Sequence, residues 1–399
     1  MSTAAPVASP GPEPTAGRRL IAALGIVQIF AWGSSFYLLA VLAAPIARDT
    51  GWPAQWVMGS LSLGLLVAGL VSPRIGALIE AHGGRPVLGA GCALLAAGLV
   101  ILALAPNPAI FALGWCVMGA GMAASLYDAA FATLGRLHGA AARRPITLLT
   151  LWGGFASTVC WPLSAFLETK IGWRGTCLAY AGLHVVLCLP LVATYIPAIA
   201  PRGAVAGTAA PRPAGALRGR DLKAFLLLAG IITLAGAIAS AMSVQVLALL
   251  QSRGFSLAEA VAAGAAIGPA QVFARIIEQL SGGRHHPLWT MVWAVALIGL
   301  GLVLLALGLP IIAIALAAYG AGNGIFSIAK GTVPLAVLGA ERYPVLAGRL
   351  ARPALLAQAL APLVAAQLMA TGGAGAVLAA LLALWLVAAA LLALLWRAH

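Results

Sequence analysis

Acidic residues are scarce: nine Asp and Glu stand against 23 Lys and Arg in 399 residues, and charged residues of either sign reach only 8%. A water-soluble domain carries about 25%, so with hydrophobic residues at 62% the shortfall places the chain in a bilayer. In a soluble protein the +14 net charge would suggest nucleic acid, but these basic residues form no patch or stripe, and no nucleic-acid partner is expected. No G-x-x-x-x-G-K-[ST] stretch occurs, which excludes a phosphate-binding loop of the ATPase type. The five cysteines (Cys92, Cys116, Cys160, Cys177, Cys188) lie inside apolar segments. With neither C-x-x-C nor Cys/His spacing they offer no disulfide framework and no zinc site. His82, His138, His285 and His286 are scattered over loops and His184 stands alone. An enzyme would gather such groups on one membrane face, so no catalytic site, cofactor or metal is expected.

What the sequence has is long apolar runs. About 20 apolar residues span the hydrocarbon core, and twelve such stretches occur. The first six are 20–47, 54–78, 86–105, 109–137, 145–167 and 175–197, and the last six 224–250, 257–280, 288–309, 311–338, 345–370 and 374–396. Residues 1–17, rich in Pro, Ala, Ser and Thr, read as a disordered tail. The run after Arg18 and Arg19 continues to Ala47, too long for the core of a cleaved signal. Residues 198–223 hold three prolines and four arginines, too polar to span and too proline-rich for a long helix. They form a linker between a bundle at 18–197 and another at 224–399, an all-α membrane protein of two six-helix bundles.

With the N-terminus inside, fifteen basic residues fall in cytoplasmic segments and only Arg48, Lys170, Arg174 and Arg253 in outer loops. The positive-inside rule therefore puts both termini and the linker in the cytoplasm. The halves also repeat at a spacing of about 200: Glu80 and Arg85 recur as Glu278 and Arg284, and Cys160-Trp161-Pro162-Leu163 as Leu360-Ala361-Pro362-Leu363.

One loop organises the reading. Between the second and third spans runs Gly76-Ala-Leu-Ile-Glu80-Ala-His-Gly83-Gly-Arg85-Pro. Its glycines permit the positive-φ backbone of a short connection, and Glu80 and Arg85 are placed to act as a latch that holds in one conformation and releases in another. The stretch resembles the signature loop of the major facilitator superfamily, G-x-L-x-D-x-x-G-x-R, with Gly76, Leu78, Gly83 and Arg85 in register and Glu80 in place of the aspartate. The second copy, at Glu278 and Arg284, carries an inserted Ser281 and an intruding Arg275. The resemblance implies a six-plus-six carrier with its solute near mid-membrane between the halves.

Once the charges close to span ends are assigned to the membrane faces, four basic residues and one acid are left within, or about a turn inside, the spans: Arg74, Asp128, Arg275, Lys330 and Arg352. At a span centre such a group costs ~2.5–3.5 kcal/mol on insertion scales, so each is a functional candidate by default. Arg74 lies near a helix end and can snorkel. Arg275 stands three residues before Glu278, a spacing for a pair on one face. Asp128 is expected on a small, polar stripe with Gly121, Ser125 and Ala132. Lys330 shares a face with Asn323 and Ser327, and the resemblance turns both of these helices toward the central cavity. The two charges are expected to pair, or to alternate between partner, proton and substrate. Arg352 is a candidate anion clamp, and Gln28 and Trp32 are candidates for a solute pocket with Ser35 on the first helix.

Trp32-Gly33-Ser34-Ser35-Phe36-Tyr37 and Tyr127-Asp128-Ala129-Ala130-Phe131 are similar to a bacterial branch of the superfamily that includes exporters of trivalent arsenicals and carriers of small organic compounds. Departures occur: Trp115 stands where many proton-coupled relatives carry arginine, and the stretch before Pro162 lacks the exporters' glycines. The sequence thus leads to an inner-membrane carrier using alternating access. Its expected partners are the lipid bilayer, protons and a small solute, with efflux of a metalloid or drug first, uptake of a small organic anion or nutrient as the alternative, and a non-transporting membrane receptor as the remote one.

Overall fold

The computed structural model describes residues 14–198, 217–281 and 284–398. Most of the expected linker and residues 1–13 of the expected tail lie outside this set. The first half comprises α1 (Pro14–Gly33), α2 (Leu38–Thr50), α3 (Ala54–His82), α4 (Gly84–Leu104), α5 (Pro108–Ser125), α6 (Tyr127–His138), α7 (Arg143–Gly154), α8 (Ala156–Leu183) and α9 (Leu189–Tyr195). The second comprises α10 (Gly219–Gln251), α11 (Leu257–Gly264), α12 (Ile267–Leu280), α13 (Pro287–Leu307), α14 (Ile312–Leu338) and α15 (Tyr343–Ala398). Helix thus begins at Pro14, inside the expected tail, and at Gly219, inside the expected linker. At the latter, Asp221 in the first turn complements the positive helix end.

Nine apolar helical stretches among the described residues are long enough to cross a membrane. The protein is an all-helical, multi-pass membrane protein. Two helices fold back on themselves at positive-φ glycines. Tyr180 Oη lies 2.7 Å from Ser164 Oγ on the same helix; in a straight helix sixteen residues span ~24 Å, so α8 reverses at Gly172 (φ 68°). By the same logic α15 reverses at Gly373 (φ 66°): Gly230 and Gly236 on α10 touch Leu391 and Gln358, which lie far apart along α15.

Other apolar segments expected as single helices are broken. The first opens at 34–37, the fourth at Leu126 (ψ −172°), the fifth at Phe155 and the eighth between Gly264 and Ile267. None of these breaks falls at a proline. Turn-forming residues mark only some of them, so side-chain packing decides the rest.

Each half buries its own core. One cluster draws only on residues 224–395, around Leu228, Met291, Leu302, Leu316 and Leu381. Two others centre on the first half, around Leu38, Phe111 and Trp115 and around Leu88, Phe131 and Leu149, and take Leu335, Tyr343, Ala347 and Ala359 from the second. At that join α3 and α15 meet backbone to backbone. A Cβ on Gly348 would lie 2.5 Å from the Ser72 carbonyl oxygen, and one on Gly76 would strike the Pro344 carbonyl. Ser72 Oγ also donates to the Gly348 carbonyl at 3.1 Å. Gly76 of the signature loop thus serves close helix packing of the small-xxx-small kind.

Candidate functional site

A cavity of about 250 Å³ lies between the halves. Its first-half wall is aromatic: Trp32, Phe36, Tyr37, Tyr127 and Phe131 line it. The Trp32 and Tyr127 ring centroids are 5.2 Å apart, and Tyr127 stacks on Phe131 at 5.0 Å. The two stretches marked in the sequence, 32–37 and 127–131, therefore converge on one surface. The helix breaks at 34–37 and Leu126 are what turn them inward. The second-half wall is more polar, with Ser240, Gln271, Arg275, Asn323, Ser327, Lys330 and Gln358. Asn323, Ser327 and Lys330 fall on one face of unbroken α14, as their spacing predicts.

Across the cavity Lys330 Nζ meets Asp128 Oδ1 at 3.1 Å, one charge from each half. Asp128 is reached differently from the sequence expectation. The stripe through Gly121 and Ser125 does not continue to it, because the helix ends at Ser125 and α6 restarts at Tyr127. Asp128 instead occupies the first turn of α6, where the helix dipole favours a carboxylate. Ser125 turns inward, its Oγ on the Gly121 carbonyl at 2.7 Å and its own carbonyl taken by Gln28 Nε2 at 2.6 Å. Gln28 is thereby a buried tie between α1 and α5 and does not line the cavity.

Arg352 is also outside: its side chain is exposed, while its helix neighbours Leu350, Ala351, Ala354 and Leu355 face the cavity. Of the six translocation candidates, the structure brings together Asp128, Lys330, Asn323 and Trp32. It adds Arg275, 7% exposed, whose Nε donates to the Gly324 carbonyl and Nη1 to the Thr150 carbonyl, each at 3.2 Å. The expected pairing of Arg275 with Glu278 is absent. Helix α12 is pressed onto α14 at Gly320 and Gly324, where a Cβ would lie 2.6 Å from the Ile267 carbonyl oxygen and 2.5 Å from that of Gln271. This contact aims Arg275 inward. The overlooked signal was Gln271 and Arg275, one turn apart on one face.

The latch residues are also rearranged. Arg136 of α6 reaches the carbonyls of Ile79 and Glu80 and so caps the end of α3. Gly83 adopts φ 86° at the turn, and Arg85 is half-buried beside it. Glu278 accepts from Thr290 Oγ1 at 2.6 Å, lies 3.4 Å from His285 Nε2, and faces Arg143 Nη2 from the other half at 3.9 Å. Arg143 Nη1 donates to the His285 carbonyl at 2.6 Å, while Arg284 is exposed. The second, degraded copy of the loop thus makes a second charged contact between the halves, besides Asp128 with Lys330. Arg143, missed in the sequence, supplies its partner.

Two helical bundles around a charged, aromatic-walled cavity between them define a solute carrier rather than an enzyme. The sequence matches the Major Facilitator Superfamily over residues 24–351, and the chain belongs to that family. No curated protein matches it in sequence. Among solved structures it is similar to the human organic anion transporter MFSD10 (TETRAN), with a TM-score of 0.75 and 17% identity over 94% of this chain and 99% of that one. A variant of the E. coli fucose:proton symporter FucP gives a TM-score of 0.70 and 13% identity over 95% and 98%. FucP in the outward conformation gives 0.70 and 12% over the same shares.

Proposed function

We propose that this transporter is a proton-coupled secondary carrier that moves a small solute across a bacterial inner membrane by alternating access. Its coupling site is the Asp128–Lys330 pair. The observation that carries this reading is the 3.1 Å contact between one acid and one base from opposite halves inside the solute cavity. A proton on Asp128 or a solute against Lys330 breaks the pair and frees the halves to part, which links occupancy to shape. That FucP is named a proton symporter is consistent with such coupling. The volume of about 250 Å³ falls below the ~300–1,000 Å³ of drug-sized pockets, so the drug arm of the efflux reading loses ground to a smaller solute.

The named polar contacts between the halves run from the face carrying Gly83 to mid-depth: Arg143 with His285 and Glu278, Ser72 with Gly348, Asp128 with Lys330, and Arg275 with Thr150. With twelve crossings and both termini cytoplasmic, that face is the inner one, and this state is closed to the cytoplasm.

The test is flux in proteoliposomes under an imposed pH gradient, across candidate metalloids, sugars and organic anions. The expected result is a gradient-dependent flux that a protonophore abolishes; its sign separates export from import. Flux indifferent to the gradient would sink the coupling. Topology is checked in a cysteine-free background. Pro106→Cys is expected to react with an impermeant thiol reagent outside intact cells, and Thr208→Cys only after permeabilisation. Labelling of Thr208→Cys in intact cells would reverse the orientation.

A further inference from the structure

Arg275 lies beside the coupling pair and takes no part in it. Its guanidinium is bonded to two backbone carbonyls, at Gly324 and Thr150, and among the described residues no carboxylate stands at ion-pair distance. Arginine has five N–H donors and stays ionised in proteins; two bonds leave three donors unspent. Carbonyl dipoles alone compensate a buried cation poorly, and a counter-charge does so best. The nearest acid along the helix, Glu278, is engaged with Thr290 and His285. The charged residues lining the cavity are Asp128, Arg275 and Lys330, two cations and one anion, so a single negative charge neutralises the site.

The surroundings say what carries that charge. Tyr127 Oη donates to the Thr150 carbonyl at 3.2 Å, the same oxygen that holds Arg275. The guanidinium is therefore fixed beside the aromatic wall of Trp32, Tyr127 and Phe131. Trp32 Nε1 is buried and has no hydrogen-bond partner, which leaves it one donor for a solute. Gly154 makes the room: a Cβ there would lie 2.5 Å from Arg275 Nη1.

We propose that Arg275 is the anion-binding residue of a subsite for a small monocarboxylate with a planar, apolar body. The carboxylate sits on the guanidinium in the bidentate geometry that arginine favours, and the body lies against Trp32, Tyr127 and Phe131. A dicarboxylate leaves the cavity with a net negative charge and binds less well. The proposal rests on the carrier reading for its biological use, but binding tests it directly.

The experiment is calorimetry and thermal-shift measurement on the full chain in nanodiscs with benzoate, its neutral isostere benzamide, the dianion phthalate, and a series of aliphatic and aromatic monocarboxylates. Benzoate is expected to bind and raise the melting temperature, with benzamide inert and phthalate weaker. Arg275→Gln is expected to weaken benzoate about 10- to 150-fold, the range for a hydrogen bond to a charged group. Gly154→Ala keeps every charge and displaces the guanidinium; at least a tenfold loss is expected, and it carries the test where the glutamine variant fails to fold. Equal binding of benzamide, wild-type benzoate affinity in either folded variant, or no monocarboxylate bound by the wild type overturns the proposal. Benzoate binding without pH-driven flux of any solute would instead overturn the carrier reading and leave the subsite. Flux of a neutral solute that Arg275→Gln leaves intact would do the reverse.

Discussion

Asp128→Asn is expected to yield a folded, membrane-inserted protein that no longer moves solute in response to a pH gradient, and Lys330→Ala to be inactive as well. The amide keeps the shape of the carboxylate and loses the oxygen that takes a proton. It also leaves Lys330 and Arg275 in one cavity with no acid between them. Breaking a fully buried pair costs ~3–5 kcal/mol. Here the side chains are 30% and 20% exposed, so screening brings the expected stability loss to ~1–2 kcal/mol. The double variant Asp128→Asn, Lys330→Ala discriminates. If the pair merely staples the halves, removing both restores stability and flux together. If it handles the proton, stability returns and coupled flux does not. The cycle is scored by detergent thermostability and by flux in proteoliposomes, and full recovery of flux would reduce Asp128 and Lys330 to a structural tie.

The second large effect is expected at the closed face. Arg143→Gln removes the guanidinium that joins the His285 carbonyl and Glu278 across the halves. Hydrogen bonds to a charged group contribute ~1.5–3 kcal/mol, so the equilibrium between closed and open shifts by about 10- to 150-fold. Spin labels at Ala141 and Glu341, exposed positions on opposite halves of that face, give the readout. The wild type is expected to show one short distance, and the variant a second, longer population. Arg85→Ala, lacking such a contact, is expected to shift it less. An unchanged distribution in Arg143→Gln would remove this cluster as a gate.

Much of this was legible in the chain because a bilayer makes hydrophobicity nearly synonymous with position. The apolar runs fall on the observed helices, and α14 carries Asn323, Ser327 and Lys330 inward on the spacing read from the sequence. The failures share a cause. Each assumed that an apolar segment is one straight helix or that a charge pairs along its own helix. Leu126 interrupts the fourth segment with no glycine or proline to announce it, so the stripe behind Asp128 was drawn through a break. Arg275 was matched with Glu278 by local spacing, but α12 packs on α14 and the arginine bonds to Gly324 and Thr150, 49 and 125 residues distant. Gln28 and Arg352 are polar in apolar company for different reasons, one tying helices together and the other turned outward. Periodicity along one helix does not distinguish these cases.

The glycine seam between α3 and α15 has a mechanical meaning. Where Gly76 meets Pro344 and Gly348 meets Ser72, backbone lies on backbone and the one side chain that reaches across is the Ser72 hydroxyl, on the Gly348 carbonyl, so no interlocked apolar side chains stand there to resist the rocking proposed above. Interlocked leucines would make that motion a ratchet, with each step waiting on rotamers to clear. Bare backbones suit the proposed motion to a rolling bearing, one that would keep the halves in contact and leave the charged groups above and below to decide where the stroke stops.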